Sequence, residues 1–125
     1  MFALDAELAT FDLRGMPVAL FSPDRDLREW LGELLRSASA EIVSLEQQPQ
    51  AVLWDLDPAM GDRIAQLVAY RRREPDCLIV GLRNTVHELF SDEANSLGVD
   101  LLVPKHLGGT LILESLANRQ QAVSR

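Results

Sequence analysis

Four stretches of this chain are apolar almost without interruption: Pro17–Phe21, Ala51–Trp54, Cys77–Leu82 and Val99–Val103. A strand with one face in water alternates apolar and polar residues, whereas a strand covered on both faces can be apolar throughout. Runs this short, set between segments of helical period, predict the strands of a parallel sheet enclosed by helices. This pattern restricts the chain to the α/β class more strongly than anything else in it.

The intervening segments carry apolar stripes at helical spacing. Leu27, Trp30, Leu31, Leu34 and Leu35 form the first, and Ile64, Leu67 and Val68 the second. Leu89, Phe90, Ala94 and Leu97 form the third, and Ile112, Leu113, Leu116 and Ala117 the fourth. Such stripes are core-facing sides of amphipathic helices. Asp57-Pro58 offers an N-cap with proline in the first turn. Thr85 and Glu88 have the spacing of a capping box, and Gly98 stands where a helix-terminating glycine is expected. Gly108-Gly109 separates the last strand from the last helix. Alternation of this kind implies a doubly wound parallel sheet in a three-layer α/β/α arrangement.

The chain has 125 residues, enough for one domain with one core. Its formal net charge is −7, which disfavours nucleic acid as a partner. The basic run Arg71-Arg72-Arg73 reads as a solvated helix end favoured by the helix dipole. No apolar stretch approaches a membrane span and no signal peptide is visible, so a cytoplasmic location without membrane contact is expected. Cys77 is the only cysteine and reads as a small core residue. His87 and His106 lack metal-ligand spacing with Cys77 or with each other.

In open α/β folds chemistry gathers at the carboxyl ends of the strands. Here the second of the four runs stops at Asp55, the last leads to Lys105, and the first stops at Ser22-Pro23. The edge therefore carries one carboxylate and one cation, with Ser-Pro where further acidic ligands would be needed.

Three stretches carry a family resemblance: 18–24 (VALFSPD), 51–58 (AVLWDLDP) and 98–105 (GVDLLVPK). Through them the chain resembles the receiver domain of bacterial two-component response regulators over roughly residues 17–121. The resemblance implies a flavodoxin-like fold, with Asp55 at the phospho-acceptor position and Lys105 at the position of the conserved lysine. It also implies a divalent cation, usually Mg²⁺, held by an acidic pocket. That pocket falls on Ser22, Pro23, Asp24 and Asp57. Serine is a weak neutral ligand, proline supplies no side-chain ligand, and Mg²⁺ takes carboxylates by preference. The two switch positions of the family fall on Leu82 and Leu102. Without a cation, Asp55 would have to approach a dianionic phosphoryl group nearly unscreened, and metal assistance is worth several kcal/mol in such reactions. Asp55 and Lys105 are therefore expected to form an ion pair.

The family also has a strand and a helix between the first helix and the acceptor strand, where this chain offers only 37–50. Glu41–Leu45 reads as a strand, which leaves Glu46–Gln50 for the return. Five extended residues reach about 17–18 Å, whereas running back along a strand and stepping over its neighbour takes about 19 Å. Either the second helix or the second strand must be shortened or missing. Residues 1–15 stand outside the receiver pattern as an N-terminal extension to a domain over 16–125. Phe2, Leu4, Leu8, Phe11 and Leu13 make the extension too apolar for a free tail, so it is expected to pack on the domain or on a neighbouring copy.

The expected function is that of a pseudo-receiver: not an enzyme, without metal or cofactor, acting through protein–protein contact in signalling. The partner would be a histidine kinase, another signalling protein or a second copy of the chain. By resemblance the contact face draws on Thr85–Leu97, Val99–Val103 and Thr110–Asn118. The alternatives are a phospho-accepting receiver that uses Asp55, with Asp24 and Asp57 helping to hold a cation, and a small flavodoxin-like ligand-binding domain.

Overall fold

The computed structural model describes residues 11–56, 61–83, 96–105 and 109–123. Five strands, β1 (Pro17–Phe21), β2 (Glu41–Val43), β3 (Ala51–Asp55), β4 (Leu78–Arg83) and β5 (Leu101–Pro104), form one sheet. The order is β2-β1-β3-β4-β5 and every pairing is parallel. The described helices are α1 (Arg25–Ser37), α2 (Gly61–Arg73) and α3 (Gly109–Val123). Among the described residues no helix is long and apolar enough to cross a membrane.

Both faces of the sheet are buried, as the uninterrupted runs required. On one face Val18, Ala51, Leu53, Val80, Leu82 and Val103 pack with Leu27, Leu31, Leu34 and Leu35 of α1 and Ile112, Leu113 and Leu116 of α3. On the other, Ala19, Val52, Trp54 and Ile79 pack with Leu67 and Tyr70 of α2, and with Val99. Cys77 belongs to this second cluster and is buried. Gly81 is closely packed here, because a Cβ at this position would meet Leu56 Cδ1 at 2.9 Å and Val99 Cγ1 at 3.0 Å.

Leu13 and Met16 are fully enclosed in the first cluster, with Phe11 packed against it. The Leu13 N–H donates to the Ala38 carbonyl at 2.6 Å, and the Gly15 N–H to that of Ser39 at 3.1 Å. Residues 11–16 are thus tied to the end of α1 and the start of β2. Residues 1–10, with Phe2, Leu4 and Leu8, lie outside the described set.

The short return from β2 to β3 resolves as a retained strand and a reduced helix. β2 is parallel to β1 but only three residues long. One 3₁₀ turn, Leu45–Gln47, follows, and Gln48 takes a left-handed conformation at φ 55°. The Ser44 N–H donates to Gln47 Oε1 at 2.8 Å and closes the turn. Shortening the strand shortens the journey back, so the connection spans β1 without a helix. Leu45 packs partly into the second cluster, while Ile42 is exposed.

Two readings need correction or restriction. Arg71 is not part of a solvated helix end: only 19% of its side chain is exposed. Its guanidinium donates to the carbonyls of Gly98 (2.8 Å), Pro75 (3.0 Å) and Cys77 (2.8 Å) and pairs with Asp100 at 2.6 Å. The same Asp100 oxygen accepts from the Ile79 N–H at 2.8 Å. Arg71 therefore clamps α2 to the edges of β4 and β5, while Arg73 lies over the Tyr70 ring. The third stripe, the Thr85–Glu88 box, His87 and the Asp57-Pro58 cap fall outside the described residues. Ser96 and Leu97 are helical, and Gly98 follows at φ +100°.

Candidate functional site

The carboxyl edges of β1, β3 and β5 bring Ser22, Asp55 and Lys105 together. Register sets their heights: Phe21 pairs with Trp54 and Asp55 with Leu82. The Leu56 N–H donates to the Leu82 carbonyl at 2.9 Å, and the Lys105 N–H to that of Arg83 at 2.8 Å. Parallel pairing thus continues one residue past β3 and β5 and fixes the backbones carrying the two charges.

Asp55 has no exposed surface, and Lys105 is 5% exposed. The ammonium Nζ of Lys105 lies 2.7 Å from Asp55 Oδ1. The Ser22 hydroxyl donates to Asp55 Oδ2 at 2.6 Å. Both carboxylate oxygens are therefore engaged, one by a cation and one by a neutral donor. Desolvating a lone carboxylate here would be prohibitive, so the ion pair and the hydroxyl make this burial tolerable.

Ser22 was expected as a weak ligand. Its place is instead that of a hydrogen-bond relay, since its Oγ also accepts from the Asp24 N–H at 3.0 Å. Its carbonyl accepts from Arg28 Nη1 at 2.6 Å. Pro23 is exposed. Asp24 is the N-cap of α1, with Oδ1 accepting from the Leu27 N–H at 3.2 Å. A cap of this kind is worth about 1 kcal/mol, which turning the side chain to a metal would forfeit. Leu82 is buried in the first cluster, and Leu102 is half-buried beside Gly81. Asp57 and His106 lie outside the described residues.

The described residues of this set, as placed, do not fit a divalent cation. Mg²⁺ needs oxygen donors free to meet it in near-octahedral geometry. Asp55 presents its oxygens to Lys105 and Ser22, Ser22 spends its proton on Asp55, Pro23 supplies no side-chain donor, and Asp24 caps a helix. Among the described residues no cluster of three or more His, Cys, Asp or Glu side chains could hold a metal.

Comparison with solved structures agrees with the strand order. The chain superimposes on chemotaxis protein CheY4 of Vibrio cholerae with TM-score 0.72 at 14% identity, covering 83% of this chain and 98% of that one. This is the receiver fold. The Francisella response regulator 1452 receiver domain gives TM-score 0.74 at 12% identity, covering 87% and 99% of the two chains. The signal receiver domain of a DNA binding response regulator from Colwellia psychrerythraea gives 0.71 at 15%, covering 88% and 99%. No protein-family model and no curated protein matches the sequence. At these identities the similarity establishes the fold.

Proposed function

We propose that this chain is a pseudo-receiver, a signalling module that works through protein–protein contact and not through Mg²⁺-dependent phosphorylation of Asp55. The observation that carries the reading is the closed environment of that aspartate. A nucleophile needs a free oxygen in line with the phosphorus atom. Asp55 has no exposed surface and holds Lys105 at 2.7 Å and Ser22 at 2.6 Å. Opening it would mean breaking a buried pair, with no cation-binding set among the described residues to offset the cost.

The contact half of the proposal is supported by the exposed apolar side chains. Ile42, Leu101 and Leu111 are the large ones among the described residues, and Leu111 reaches 49% exposure. Leu101 lies on β5 and Leu111 on α3, two elements of the face expected from the resemblance. A partner that covers both would bury apolar surface now facing water.

The test is a titration with Mg²⁺ plus beryllofluoride or acetyl phosphate, followed through backbone amide shifts. No saturable shift is expected at Ser22, Asp55 or Lys105. Saturable shifts there would replace this reading with that of a phospho-accepting receiver.

A further inference from the structure

We draw no further inference here: the strongest candidate, the outer edge of the three-residue strand β2 with Ile42 exposed on it, is a single apolar side chain on a short edge, and nothing in the structure shows what covers it.

Discussion

Asp55 is a charged residue with no exposed surface, so its neighbours decide what its burial costs. Its partners are a lysine and a serine, and each should have a measurable weight. Lys105→Met takes the cation from a buried carboxylate, and losses of about 3–5 kcal/mol are usual when one member of a buried pair is removed. Replacing both charges, Asp55→Leu with Lys105→Met, should recover most of that loss, and urea unfolding of the four forms in a double-mutant cycle reads the coupling directly. Ser22→Ala should cost about 1–3 kcal/mol in the same assay, by leaving Oδ2 without its donor. A second residue-level consequence lies at Tyr70 and Cys77, whose side chains face each other at 3.9 Å. Burial pushes the Cys77 thiol up from its ordinary value, and burial together with the neighbouring thiol pushes the Tyr70 phenol up strongly. The folded state then keeps protons that the unfolded chain releases. Stability should be full below about pH 8.5, where an ordinary thiol begins to ionise, and should fall as pH rises beyond it. Denaturant midpoints measured between neutral and alkaline pH check this sign, and a rise would contradict it. The same burial predicts slow reaction of Cys77 with Ellman's reagent in the native state.

At the scale of elements, the contact between Arg71 and Gly98 holds α2 to the strand edges. A Cβ at Gly98 would stand 2.6 Å from Arg71 Cγ, and the residue sits at φ +100°, a conformation costly for other residues. Gly98→Ala should therefore lose about 1–3 kcal/mol and displace the guanidinium from its carbonyls. A crystal structure or the Arg71 Hε resonance would show the displacement, and an unaltered Arg71 signal would argue against this coupling. This clamp was illegible in the sequence. Arg71 looked like one of three exposed arginines, and its partners Gly98 and Asp100 lie 27 and 29 residues further along the chain. The fate of the β2–β3 connection was half legible. Chain length forbade a full strand plus a full helix, but whether strand or helix gave way depended on β2 finding β1.

For the whole molecule, residues 11–16 are tied into the core. Leu13 is completely buried, and truncating a buried leucine to alanine typically costs about 2–5 kcal/mol. Deleting residues 1–15 removes Leu13 and its hydrogen bond to Ala38, and should lower the melting temperature by at least several degrees in a thermal scan. An unchanged melting temperature would mean that the segment does not hold the end of α1 in solution.

The sequence by itself determined the sheet. Apolar runs with no wet face can be satisfied only by burial on both sides, and the intervening helical stripes provide the cover, so fold class and parallel pairing follow from local composition. It also placed Asp55, Lys105 and Ser22 at one edge, because strand ends are set by where the runs stop. What those residues do to one another was decided only in three dimensions. A serine 33 positions from its aspartate becomes a hydrogen-bond donor, and an aspartate beside it becomes a helix cap, through register and packing alone.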